Sequence, residues 1–156
     1  LLRAMTRVPN AYLWLAGEGP LKEELQKLAE VLGIKPRVRF LGWREDTAAL
    51  LRTANLFVCP SRHEPLGNVV IEAWAQGLPV VAADSMGPGT RIENMESGIL
   101  VPVEDEILMA RAIRGVIDDP DLARKLAENG YQTYQDNFTE ARVVEQYLDF
   151  FKKVAG

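Results

Sequence analysis

Two glutamates eight positions apart, Glu64 and Glu72, stand in the stretch of this sequence best suited to hold a ligand: Pro60-Ser61-Arg62-His63-Glu64-Pro65-Leu66-Gly67-Asn68-Val69-Val70-Ile71-Glu72-Ala73-Trp74. A carboxylate can accept two hydrogen bonds at once, which suits the vicinal hydroxyls of a sugar ring or a ribose. Between the glutamates lies Gly67, where a backbone without a Cβ can come close to a ligand. The residues after it read as the start of a helix, whose unpaired N–H groups and positive dipole end suit a diphosphate. Taken alone the pair is weak. Two glutamates at this spacing recur by chance in an acidic chain, and a carboxylate near a helix start is favourable with no ligand at all.

What strengthens the pair is where the surrounding elements put it. Ala11 to Ala16 reads as a buried strand, as do Val38 to Leu41, Leu56 to Cys59, Pro79 to Ala83 and Ile99 to Val101. Between them run helical patterns. Leu21, Leu25, Leu28 and Leu32 form one face, with Gly33 where a C-cap would fall. Residues 46–54 and 67–76 read as helices, and Ser85 to Gly89 as a Gly/Pro loop. From Asp105 onward the chain is nearly all helix, with Ile107, Ala110, Ile113 and Ile117 on one face, a break at Asp118-Asp119-Pro120, and Thr139 as N-cap of a last helix. Apolar strands separated by helices predict a parallel sheet covered on both faces, a doubly wound α/β domain of the Rossmann-like three-layer αβα kind, single over residues 1–156. Such sheets bind ligands outside the carboxyl ends of their strands. Four loops fall there: Gly17 to Pro20, Gly42 to Asp46, Ser61 to Asn68, and Asp84 to Gly89.

Composition excludes several classes. The net charge of −4 with scattered Arg and Lys gives no basic stripe, so no nucleic-acid partner is expected. The single cysteine, Cys59, ends an apolar run and reads as a buried structural residue. With one histidine, His63, there is no His/Cys cluster, and no metal site is expected. Gly17 and Gly19 lack the third glycine of a dinucleotide fingerprint. Trp14 and Trp74 read as core packing, and Arg91 as a surface arginine within reach of a phosphate. No signal peptide or membrane-spanning stretch is visible in the sequence. The chain opens on Leu1-Leu2-Arg3-Ala4-Met5, which reads as the end of a helix already under way, so it is expected to begin inside a longer protein.

Leu56 to Ser61, Glu64 to Ala73 and Gly77 to Ala82, together with Leu15 to Pro20, Val38 to Gly42 and Ser97 to Val101, resemble glycosyltransferase family 4 in order and spacing along the whole chain. The resemblance implies the C-terminal, donor-binding half of a GT-B enzyme, a metal-independent retaining glycosyltransferase with no cofactor beyond its nucleoside diphosphate sugar donor. It implies that Glu64, the catalytic candidate, holds hydroxyls of the transferred sugar, and that Glu72 holds the ribose. Backbone N–H groups at Leu66, Gly67 and Asn68 would meet the sugar and diphosphate, with Val69 beside them. Gly17 and Gly19 would leave room for phosphates, and Trp43 and Arg44 would meet the base through main-chain atoms. His63 adjoins Glu64 and joins the donor-binding set.

The chain departs from the family pattern in three places. Pro65-Leu66-Gly67 replaces the frequent Gly-Phe-Gly, and Thr90 stands where a glutamate is usual. The opening strand, which the family places in the middle of the sheet, and its Arg/Lys-bearing loop would precede Leu1, as would the acceptor domain. That missing N-terminal domain would supply the sugar, lipid-linked or polysaccharide acceptor. A cytoplasmic location is implied, with peripheral contact at the inner face of a membrane left open. Two alternatives stand beside this reading: a nucleotide-sugar epimerase of the same architecture, and a nucleotide-sugar-binding module without chemistry.

Overall fold

A computed structural model describes residues 1–155 of the chain. Short strands and helices alternate: α1 (Leu2–Met5), β1 (Leu13–Ala16), α2 (Lys22–Val31), β2 (Val38–Gly42), α3 (Thr47–Thr53), β3 (Phe57–Cys59), α4 (Asn68–Ala75), β4 (Val80–Ala83), α5 (Met86–Arg91), β5 (Ile99–Val101), α6 (Glu106–Asp118), α7 (Pro120–Asn137) and α8 (Glu140–Ala155). Every strand pair is parallel. The strand β4 shows how the layers are built. Val81 and Ala83 face a core with α1, α2 and α6, while Val80 and Ala82 face a second core with α4 and the end of α7. Successive side chains point to opposite faces, so a strand buried on both sides reads as an unbroken apolar run. This is a three-layer α/β fold.

Local chemistry explains most boundaries. Gly33, Gly42 and Gly77 take left-handed conformations just after α2, at the end of β2 and after α4, turns that a Cβ would disfavour. Asp105 caps α6 by accepting from Ile107 N at 3.0 Å and Leu108 N at 2.8 Å. Asp119 does the same for α7, with Pro120 in the first turn, where its missing N–H costs nothing. Thr139 Oγ1 accepts from Arg142 N at the start of α8. Arg37 fixes the approach to β1: its guanidinium donates to the carbonyls of Met5, Val8 and Ala11. Cys59 is buried.

Four expectations are corrected. First, the strands form two parallel sheets and not one: β1 with β2, and β3 with β4 and β5. Both contribute to one core, yet β1 and β3 each keep an edge with no strand partner among the described residues. A cleft of about 480 Å³ is lined from both sheets, by Leu15 on one side and Pro60 and Ala83 on the other.

Second, Trp14 is 44% exposed. Leu13 and Leu15 turn into the core, and alternation sends Trp14 to the other face, beside Arg39, where no core cluster forms. Trp74, by contrast, is fully buried and donates its indole N–H to the Ser97 carbonyl at 2.9 Å.

Third, residues 86–91 are helical and not a loop. Pro88 sits in the first turn, where a helix tolerates it, and Gly89 N and Ile92 N close the turns onto Ser85 O and Pro88 O.

Fourth, the buried stripe of α6 is Met109, Ala110, Ile113 and Val116, leaving Ile107 and Ile117 exposed. Both stripes have helical spacing, and only the packing against β4 and α1 chooses between them. The apolar face of α8, with Tyr147 and Phe151, is exposed along its length.

Candidate functional site

The loop after β3 is built around Gly67. Its φ of +70° places it in the left-handed region, and the next residue begins α4. The Gly67 carbonyl accepts from Val70 N at 3.0 Å, which closes the first turn. Asn68 N and Val69 N lie in that turn, where a helix offers no internal acceptor. The N–H of Gly67 donates to Glu64 Oε1 at 3.0 Å. Of the three amides expected to meet a donor, this one is therefore already engaged, and those of Leu66 and Asn68 are not. Glu64 is half-buried and keeps Oε2 without a protein partner among the described residues.

Glu72 is exposed on α4, while Val70, Ala73 and Trp74 fill the opposite face. It is the fifth residue of α4 and lies beyond the first turn, so a helix-start role does not account for it. His63 is exposed with no hydrogen-bond partner among the described residues, and its neighbour Arg62 pairs with Glu104.

The first turn of α5 meets the loop after β3 backbone to backbone. Gly87 N donates to Glu64 O at 2.6 Å. A Cβ on Gly87 would stand 2.4 Å from Gly67 N and 2.5 Å from Glu64 O. The two segments can touch here because Gly87 lacks a side chain. Arg91, at the end of α5, donates through Nε to the Leu66 carbonyl, and its guanidinium lies 5.0 Å over the Phe138 ring. Arg91 is partly exposed, in keeping with the surface place expected for it, and it is also part of the frame of the Glu64–Gly67 turn. Sequence reading gave Gly87 no role of its own and missed Phe138 altogether. The only trace of Gly87 was its place in a strand-end Gly/Pro stretch, and nothing local marked Phe138.

The other two loops pair with each other. Gly17 N donates to Gly42 O at 2.7 Å. Gly17 has φ +126°, and a Cβ on either Gly17 or Gly19 would meet nothing within 4 Å, so space is open there. The Trp43 side chain is 75% exposed. Arg44 is held by Asp46 in a two-point pair, Nε to Oδ1 at 2.8 Å and Nη2 to Oδ2 at 2.7 Å. The hydrogen bonds from Arg44 hold the Asp46 carboxyl below its ordinary value. The Arg44 charge is thus already compensated by Asp46.

The structure therefore places Glu64, Leu66, Gly67, Asn68 and Val69 between the carboxyl end of β3 and the first turn of α4, with Glu72 further along that helix. Gly17 and Gly19 follow the carboxyl end of β1, and Trp43 and Arg44 that of β2. Among the described residues no hydrogen bond or ion pair joins the two groups, and no three His, Cys, Asp or Glu side chains are grouped to hold a metal ion.

Parallel strands with loops at their carboxyl ends and a glycine-bearing turn into a helix define a Rossmann-like α/β domain. The chain belongs to the glycosyl transferases group 1 family, whose model matches residues 1–133. It is 43% identical over 148 residues to the lipopolysaccharide core biosynthesis glycosyltransferase LpsE of Rhizobium meliloti, covering 95% of this chain and 44% of that protein. It is 36% identical over 145 residues to the putative glycosyltransferase EpsD of Bacillus subtilis, covering 93% and 38%. Among solved structures, Anabaena HepE in complex with UDP superposes with a TM-score of 0.92 at 27% identity, over 98% of this chain and 44% of that one. Sucrose-phosphate synthase from Thermosynechococcus elongatus superposes with a TM-score of 0.89 at 31% identity, over 98% and 41%. The chain thus spans less than half the length of these relatives.

Proposed function

We propose that this chain is the donor-binding half of a retaining glycosyltransferase, which moves a sugar from a nucleoside diphosphate sugar to an acceptor hydroxyl. The observation that carries the reading is the Glu64–Gly67 turn, which sets the Glu64 carboxylate beside the unpaired first-turn amides of α4, with Glu72 further along the same helix. HepE, at 27% identity, has been solved with UDP and with UDP-glucose, which supports a donor of that class. In this reading Glu64 uses Oε2 on the transferred sugar, Glu72 takes the ribose hydroxyls, and the amides of Asn68 and Val69 share the diphosphate charge with the dipole of α4. Gly17 and Gly19 leave room for phosphates, the main chain at Trp43 and Arg44 faces the base, and His63 lies beside the sugar.

The bond between the anomeric carbon and the diphosphate oxygen breaks, and the diphosphate leaves with the electron pair. The acceptor oxygen bonds to the same face as it gives its proton to the departing diphosphate. Protein donors aimed at the leaving group stabilise its charge without a cation.

The acceptor, a sugar, lipid-linked sugar or polysaccharide, is held by a second domain outside these residues. A strand outside them also fills the space between β1 and β3, a reading supported by their two unpaired edges and the cleft beside them. Backbone groups left unpaired at two sheet edges are costly, and a parallel strand would satisfy both. No helix among the described residues is long and apolar enough to cross a membrane. In the proposed reading the enzyme works in the cytoplasm, and any contact with the inner face of the membrane is peripheral.

Calorimetry tests the site. Glu72→Ala is expected to weaken binding of the free nucleoside diphosphate by about 1.5–3 kcal/mol, the range for hydrogen bonds to charged groups, and unchanged affinity would refute its ribose role. A thermal-shift screen of the complete polypeptide against UDP-, GDP- and ADP-sugars identifies the donor, because a bound ligand raises apparent stability by mass action. With that donor and a hydroxyl acceptor, glycosylated product and free nucleoside diphosphate are expected. Isomerised donor without an acceptor would identify an epimerase instead, and binding without turnover a module that does no chemistry.

A further inference from the structure

We infer that Arg91 is a positioning residue for Glu64, acting through the peptide unit between Leu66 and Gly67; the inference rests on the donor reading above. That unit is gripped at both poles. Its carbonyl oxygen accepts from Arg91 Nε, and its N–H donates to Glu64 Oε1 at 3.0 Å. A planar trans peptide carries these two groups on opposite sides, so fixing one fixes the direction of the other. The grip matters because the unit runs into Gly67, which has φ +70°. Glycine tolerates either sign of φ, so a flip of the preceding peptide is cheap unless something holds it. A flip would turn the N–H away from Glu64 and release the carboxylate.

Arg91 is well placed to prevent this. Its stem crosses the glycine, with Cδ 3.3 Å from where a Gly67 Cβ would stand. Its guanidinium is seated over Phe138, 5.0 Å from the ring centre. Phe138 in turn packs 6.5 Å from the ring of Trp74, which is fully buried in α4. The arginine is therefore braced against the scaffold of α4 and α7 while it holds the loop. Its charge is permanent, and a charged donor on the carbonyl polarises the amide, so the Gly67 N–H becomes a stronger donor to Glu64. The consequence is a carboxylate pinned through Oε1, with Oε2 presented to the sugar. The Arg62 guanidinium pairs with Glu104 instead.

The test separates a positioning role from direct phosphate contact and from plain stability. Affinities of the complete polypeptide are measured for UDP-glucose, GDP-mannose and ADP-glucose, and for free UDP, GDP and ADP. Wild type is compared with Arg91→Met, which keeps the packed stem, with Glu64→Ala, and with the double variant. Arg91→Met is expected to weaken the nucleotide sugar about tenfold, the lower end for a charge-assisted hydrogen bond, while the free diphosphate changes by less than about twofold. In the Glu64→Ala background the Arg91 effect should vanish, as it must if it acts through Glu64.

Equal weakening of both ligands would assign Arg91 to the phosphate and overturn the inference. So would unchanged nucleotide-sugar affinity, or an undiminished effect without Glu64. A merely structural role lowers the melting temperature without changing the ratio of the two affinities. If Arg91→Met melts below the assay temperature, Arg91→Lys, which keeps charge and stem but loses the planar donor, carries the same comparison. Wild-type protein that binds none of the three donors would sink the donor reading itself, and this inference with it.

Discussion

Replacing Gly87 by alanine adds one methyl group at the point where the start of α5 touches the loop after β3. An added Cβ would stand 2.4 Å from Gly67 N, 2.5 Å from Glu64 O and 2.7 Å from Leu66 C. All three are backbone atoms, so no side chain can swing aside. Gly87 has an ordinary helical φ, so the cost comes from contact and not from backbone strain. Overpacking of this kind costs about 1–3 kcal/mol. Separating the two segments also breaks the 2.6 Å bond from Gly87 N to Glu64 O, which adds about 1 kcal/mol. The sum is about 2–4 kcal/mol, and for a domain of this size that corresponds to a fall of roughly 5–15 °C in melting temperature.

Gly115→Ala is the matched control. It lies inside α6, and a Cβ there meets nothing within 4 Å. It should stabilise by about 0.5–1 kcal/mol, the difference between alanine and glycine in a helix. Thermal and urea unfolding measure both variants. Gly87→Ala with stability within about 0.5 kcal/mol of wild type, the range of neutral surface changes, would refute the claim that these two segments are locked backbone to backbone.

Gly130→Ala in α7 should also destabilise, by about 1–3 kcal/mol from overpacking despite the better helix propensity, because the new Cβ would stand 2.3 Å from Trp74 Cδ1; urea midpoints check it. Asp105→Ala removes the cap that accepts from Ile107 N and Leu108 N, and about 1 kcal/mol of stability should go with it, read by the same melts. The Asp46 carboxyl is held below its ordinary value, first by its hydrogen bonds from Arg44. Its stabilising contribution is therefore present above the unfolded value and is lost as pH falls through the lower folded one. Arg44→Gln should move the Asp46 titration midpoint upward, as followed by carboxyl NMR, and an unmoved midpoint would show that the pair does not persist in solution.

The turn at Glu64–Gly67 was legible because its signals are local. A strand ending at a proline, a glycine before an apolar helical run, and carboxylates on either side all lie within a dozen residues, and all carry over into the structure. The helical character of residues 86–91 was hidden, because Gly-Pro-Gly argues against a helix wherever neighbours do not enforce one. Trp14 was misjudged since an aromatic residue in a strand reads as core until the packing of the second face is known. The stripe on α6 slipped because Leu108 and Met109 widen the apolar arc, and periodicity alone cannot centre it.

Sequence by itself determined the alternation of strands and helices, the parallel plan, the cap at Thr139, and the stretch that could hold a ligand. These follow from hydrophobic period, turn chemistry and spacing, which act over a few residues. Tertiary structure alone decided that the strands divide into two sheets, that Gly87 presses on Gly67, and that Arg91 reaches across to the Leu66 carbonyl while resting on Phe138. These contacts join residues some 20 to 50 positions apart. Their energy comes from close approach of backbones and a braced charge, and neither leaves a periodic mark in the sequence.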